Sequence, residues 1–253
     1  MANIDISSAL FVVKQAQAEL GLPQAVSLFS SPTVLDAQFL ALLNSAGAEL
    51  REYFPWEKLT NEWILTTQQS VGSYPLPADF GYFVDQSQWD RSNHWPLLGP
   101  KSSQEWQWIK GGLISQGPRL RYRIMGGQFQ LWPVPGDPST GTYVPWTLAM
   151  EYVSNQWVQQ SAGPPPVNAN FITADTDVIL LPIWCCIKFL KLKFWETKGF
   201  DTTAFRDDFL NVFTSRTGKD MGAPTLTMSP RPASIYIGPN NIPDGSWPVG
   251  STI

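Results

Sequence analysis

This chain of 253 residues has one histidine, two cysteines and little charge. Charged residues make up 15% of it, against roughly a quarter in ordinary soluble domains. The lone His94 sits between Asn93 and Trp95 in a proline-bounded loop, with no GxSxG around it. Any dyad that needs imidazole would rest on this one side chain, so it reads as a surface or interface histidine. Cys185 and Cys186 are adjacent and have no histidine nearby. Neighbouring residues rarely pair as a disulfide and two thiols alone make a poor zinc site, so both read as small buried hydrophobes in a reducing cytoplasm. No apolar run approaches the roughly 18 residues that span a bilayer, so no membrane partner is expected. The first residues lack a basic stretch and a small-residue cleavage site, so no signal peptide is expected. A net charge of −4 and a pI near 5.0 exclude a generic nucleic-acid binder. They leave room for a protein that DNA merely passes, since acidic walls repel phosphate.

Tryptophan and proline are plentiful, at 12 and 22 residues. Four of the tryptophans (Trp89, Trp95, Trp106 and Trp108) fall between Ser73 and Lys110. Large aromatics with few charges imply surface that is covered in the working state, hence an oligomer.

Helical signals lie at both ends. Residues 5–20 place Ile6, Leu10, Val13 and Leu20 near helical spacing, with Gly21 and Pro23 as stops. A second helix starts at Ser31 as cap and Pro32 as first residue, carries Leu35, Phe39, Leu42, Leu43, Ala46 and Leu50, and ends at Pro55. A third runs over about 180–197, with Asp175 and Asp177 near its N-terminus, and Lys188, Lys191, Lys193 and Lys198 as solvated surface. A fourth, about 202–217, buries Phe205, Phe209, Val212 and Phe213.

Between the helical ends the period shortens. Strands are expected at 62–67, 79–89 and 146–153, and a short helix capped by Ser102 or Ser103. The segment Arg119–Ile124, Gly126-Gly127, Phe129–Trp132 reads as a hairpin; no Lys-Ser/Thr follows the glycines, so they are no phosphate loop. Residues 161–172 read as loop. The expected architecture is α+β: an α-helical bundle from N- and C-terminal helices, a central antiparallel β domain and an extended C-terminal arm. The boundaries are 1–58, 59–158, 159–220 and 221–253. The arm is proline-rich yet keeps Ile235, Tyr236, Ile237 and Trp247, which makes it a candidate for docking on a partner.

Among candidate chemistry, Arg119, Arg121 and Arg123 alternate on one strand face and offer contact to an acidic neighbour or to DNA phosphate in a channel. Asp85, Asp90 and Glu105 lie among aromatics, which keeps open a carbohydrate-active enzyme using a carboxylate pair. No cofactor is expected.

The order of several stretches resembles the tail tubular A-type head-to-tail adaptors of short-tailed bacteriophages. They are Asn61–Phe80 with its LPADF turn, Trp89–Gly112 (WDRSNHWPLLGPKSSQEWQWIKGG), Tyr122–Pro135 (YRIMGGQFQLWPVP), Glu151–Val158 (EYVSNQWV) and the FITADTD run before the third helix. The resemblance implies a structural virion protein made in the host bacterial cytoplasm. It implies a dodecameric ring of this chain that joins the portal to the tail nozzle or tube and lines the exit channel. Double-stranded DNA would pass without sequence-specific binding. Trp89, Trp95, Trp106, Trp108, Ile235, Tyr236, Ile237 and Trp247 are then the candidate subunit and partner contacts. A nozzle subunit or receptor-binding module is the competing reading within the tail; helices flanking a β region favour the adaptor.

Overall fold

The computed structural model describes residues 8–30, 32–112, 119–136, 144–160 and 167–220. Helix α1 (Ala9–Glu19) is opened by Ser8, whose side chain accepts from the Phe11 amide at 3.3 Å. Helix α2 (Val34–Tyr53) is opened by Thr33 rather than by Ser31 and Pro32. The reason is a capping box: Thr33 Oγ1 accepts from the Asp36 amide, and the Asp36 carboxylate accepts from the Thr33 amide. The residue three places after Ser31 is Val34, which offers no such acceptor.

A 3-10 turn (Glu57–Leu59) leads into β1 (Thr60–Thr66), β2 (Ser73–Pro75) and β3 (Phe80–Phe83). The strand expected over 79–89 is broken. Val84–Ser87 turn with Gln86 in a left-handed conformation (φ 62°), and the Ser87 hydroxyl donates to the Val84 carbonyl at 2.7 Å. The chain resumes as β4 (Trp89–Asp90), β5 (Trp95–Pro96) and α3 (Ser103–Lys110), the last capped by Ser102 with Glu105 closing its box. The hairpin β6 (Arg121–Met125) and β7 (Gln128–Trp132) turns at Gly126 and Gly127, both with positive φ, as a tight two-residue loop requires. Then come β8 (Thr147–Ser154), β9 (Val158–Gln160), β10 (Val167–Ala169), β11 (Val178–Ile179), α4 (Ile183–Lys198) and α5 (Thr203–Asp220). Within the span read as loop, β10 pairs antiparallel with β9. Residues 221–253, and with them Ile235, Tyr236, Ile237 and Trp247, lie outside the described residues.

The fold is α+β and divides into two compact units. Unit 1 joins the described chain up to Asn61 with that from Val153 onward; unit 2 spans Glu62–Tyr152. In unit 1, α1, α2 and α5 all pack on α4, and β10-β9-β11 form a small sheet beside them. Val12, Val13, Phe39, Leu43, Cys186 and Leu190 are fully buried here, and the rings of Phe39 and Phe194 stack at 4.7 Å. The fourth expected helix buries only Phe209; Phe205, Val212 and Phe213 are half-exposed. The two thiols are packing groups: burial pushes Cys185 up to about 11 and raises Cys186 as well, so neither is a thiolate near neutrality.

The α4 lysines are not a simple solvated surface. Lys191 is buried and its ammonium lies 2.7 Å from Glu19 of α1, while Lys193 reaches Glu49 of α2 at 2.7 Å. Lys188 pairs with Asp208 of α5 at 2.9 Å. These side chains point toward neighbouring helices that sequence spacing alone does not reveal. Nor do Asp175 and Asp177 open α4, whose N-cap is Pro182; Asp177 holds the loop before β11, and Asp175 accepts from Ser27 and Leu28 in the α1–α2 connection.

Unit 2 carries two sheets, β1-β8-β4-β5 with β3 also on β8, and β2-β7-β6. Tyr74, Tyr122, Phe129, Leu131, Leu148 and Met150 form its core. Burial pushes the Tyr122 phenol up to about 12, and nearby Asp85 adds to the rise.

The cap of α2 makes unit 1 sensitive to acid. Burial alone would raise the Asp36 carboxyl, but hydrogen bonds from Thr33 Oγ1 (2.7 Å), Gln17 Nε2 (2.9 Å) and the Thr33 amide outweigh it and hold its pKa below the ordinary value. A folded-state pKa below the unfolded one contributes stability that is complete above the unfolded pKa, about 3.9 for Asp, and is lost as pH falls through the folded one. Urea titrations between pH 7 and pH 3 should therefore show a steeper acid loss for the native chain than for Asp36→Asn. Equal slopes would mean that the carboxylate is not favoured by its neighbours.

Candidate interaction surfaces

In unit 2 the segment from Val84 to Leu98 is held from three sides. Trp89 stands opposite Ala149 and Pro96, and Asp90 opposite Leu148 and Trp95. Asp90 is buried; its carboxylate accepts from the amides of Ser92 (2.9 Å) and Asn93 (3.1 Å) and from the Asn93 side chain (2.7 Å). That is a side-chain turn, and it lets His94 take a left-handed conformation (φ 60°) at the tip, where it is exposed. The Thr147 amide donates to Ser92 Oγ at 2.8 Å, and the Arg91 amide to the Thr147 carbonyl at 2.8 Å.

The result is an open cleft of about 600 Å³. Its apolar walls are Val84, Trp89, Ala149 and Met150, and its charged groups are Glu62, Asp85, Asp90, Glu151 and Arg91. Arg91 pairs with Glu62, and Asp90 is engaged in its turn. Asp85 and Glu151 are exposed and have no ion-pair partner among the described residues. Glu105 lines a different pocket and serves as the α3 cap. The Ser102 amide, with help from Lys101, holds its carboxyl below the usual range.

The four tryptophans of this region separate. Trp106 is buried, 1% exposed, with Lys110 lying 5.2 Å over its ring, so its surface is covered within its own chain. Trp89, Trp95 and Trp108 are 46%, 38% and 56% exposed. Trp106 and Trp108 are two apart on one helix, which turns one ring inward and the other out. The three arginines form no exposed row. Arg121 is buried, Arg123 donates to Ser103 Oγ at 2.8 Å, and Arg119 precedes the strand.

Unit 1 contains a second concavity, of about 870 Å³, that sequence reasoning did not single out. It runs between the N-terminal half of α4 and the C-terminal half of α5, with Leu181, Pro182, Ile183 and Val212 on its walls. Lys58, Lys188, Arg216 and Lys219 line it, and among the described residues no carboxylate does. Trp184, 54% exposed, lines it too. The available signal was its spacing: Trp184 precedes Lys188 by four residues, on the polar face of a helix whose other faces are buried.

Among the described residues no group of His, Cys, Asp and Glu is placed to hold a metal ion, and no helix is long and apolar enough to cross a membrane. Compared with known proteins, residues 13–193 match the model of the family described as SU10 adaptor protein. The match starts within α1, crosses the whole of unit 2 and ends within α4. No curated protein matches the chain.

Proposed function

The chain belongs to the SU10 adaptor protein family, a family of phage head–tail adaptors, and from that membership we propose that it is the ring subunit between portal and tail nozzle. The ring is dodecameric, lines the DNA exit channel and has no catalytic role. The observation that carries the reading is the family match, which runs from α1 through unit 2 into α4. The exposed Trp89, Trp95 and Trp108 agree with it, since aromatic rings at a surface are the usual anchors of a protein interface. An acidic chain, at net charge −4, suits a channel that DNA traverses without adhering. The subunit is made in the host cytoplasm and ends in the virion.

Negative-stain imaging of the purified protein, alone and with portal, tests this. Twelve-fold rings are the expected result, free or templated by the portal. A trimer would point instead to a fibre or spike, and a protein that never associates with portal would remove the adaptor role.

A further inference from the structure

The two concavities have opposite charge and separate locations, one on each unit. In the unit 1 groove, Lys188 is compensated by Asp208 at 2.9 Å and Glu19 at 3.5 Å, and Arg216 by Asp220 at 3.4 Å. Lys58 and Lys219 have no ion-pair partner among the described residues. In the unit 2 cleft the uncompensated groups are the carboxylates of Asp85 and Glu151. Two ammonium groups without an ion-pair partner line one surface together with an exposed indole, and two such carboxylates line a Trp-walled cleft on the other.

We propose that these surfaces bind each other between copies: Trp184 of one subunit enters the Asp85–Glu151 cleft of the next, with Lys58 and Lys219 facing those carboxylates. The occupant of each surface is thus a second copy of this chain. A cleft of about 600 Å³ is ample for one indole, which would lie against Trp89 and Met150. Burying a large aromatic at the centre and ringing it with opposite charges is how the energetically dominant part of an interface is built. The two surfaces differ, so the contact is heterologous, the class that closes into rings. The inference rests on the ring reading above and adds which surfaces make the subunit contact.

Three variants of the full chain test it: Trp184→Ala, Lys58→Glu/Lys219→Glu, and Asp85→Lys/Glu151→Lys. All five positions are exposed and Ala is a better helix former than Trp, so folding is checked by circular dichroism and expected to persist. Ring formation, free and on purified portal, is followed by sedimentation velocity and negative stain. Each variant alone should lose assembly by at least about tenfold, because like charges then meet or the anchor is missing. An equimolar mixture of the two charge-reversed proteins should recover it, since each groove then finds a cleft of opposite sign. Variants that fold and assemble like the native chain, or a mixture that stays dissociated, overturn the pairing while leaving the ring intact. A groove variant that still forms rings but no longer binds portal assigns the groove to the portal and equally overturns it. Native protein that forms no ring under any of these conditions fails the ring reading itself, and the pairing with it.

Discussion

Trp157→Ala should lower the stability of unit 1 by about 3–5 kcal/mol, the range for removing a large buried aromatic. Trp157 is fully buried, and its indole N–H donates to the Asn170 carbonyl at 2.8 Å. It lies directly against α2 at Gly47, where a methyl group on the glycine Cα would fall well inside van der Waals contact with the six-membered ring of the indole. Deleting the ring leaves a cavity and an unpaired carbonyl together. A domain of this size has only about 5–15 kcal/mol to lose, so urea unfolding should shift sharply. Trp157→Phe keeps most of the packing and should cost about 1–2 kcal/mol, mainly the hydrogen bond. Gly47→Ala sets two effects against each other. Helix propensity favours alanine by about 1 kcal/mol, but overpacking costs about 1–3 kcal/mol, so the change should destabilise. In a Trp157→Ala background the clash is gone and Gly47→Ala should turn neutral or stabilising. Additive effects of the two changes would mean that they do not share this contact.

Asp177→Ala should be the next largest loss, about 3 kcal/mol. Asp177 is 1% exposed, and its Oδ2 accepts from the Thr173 amide (2.7 Å), the Thr173 hydroxyl (2.9 Å) and the Ala174 amide (2.8 Å). Its backbone carbonyl accepts from the Ala9 amide at 2.9 Å, at the first turn of α1. Asp175 beside it takes the Ser27 hydroxyl at 2.5 Å and the Leu28 amide at 2.7 Å. This loop therefore ties the start of α1 and the α1–α2 connection to the chain before α4. Alanine takes the shared acceptor from three donors and empties a buried side-chain position, although exposed Thr173 can still turn to water. Asparagine keeps one acceptor oxygen and should lose only about 1 kcal/mol. Thermal unfolding of both variants decides the matter: equal losses would show that the side chain acts by bulk and not by accepting these bonds.

Local signals were enough to read the helices at both ends and the Gly126-Gly127 hairpin, because apolar period and turn chemistry act over a few residues. They failed where a side chain's partner is distant. Asp175 and Asp177 look like helix-opening carboxylates, yet the donors to Asp175 are Ser27 and Leu28, far back in the chain. Lys191 looks solvated until Glu19 is brought to it. The Val84–Ser87 turn contains neither glycine nor proline, so nothing in its composition interrupts the strand pattern. Composition marks all four tryptophans of the Ser73–Lys110 segment alike, but only Trp89, Trp95 and Trp108 are exposed, because helical geometry turns Trp106 inward. The basic groove was invisible because Lys58 and Lys219 come from distant parts of the chain.

Unit 1 is built from two stretches of chain with all of unit 2 between them, and this has a consequence for synthesis. The helices α1 and α2 leave the ribosome roughly 130 residues ahead of α4, the element on which both pack. At about 5–20 residues per second that gap is roughly 6–26 s. During it Phe39, Leu43 and Leu50 have no α4 to cover them, whereas unit 2 gains its last strand, β8, at Ser154 and can close before α4 is made. A chain released near residue 160 would carry every strand of unit 2 and an uncovered helical pair. That interval is when a chaperone would find most to hold.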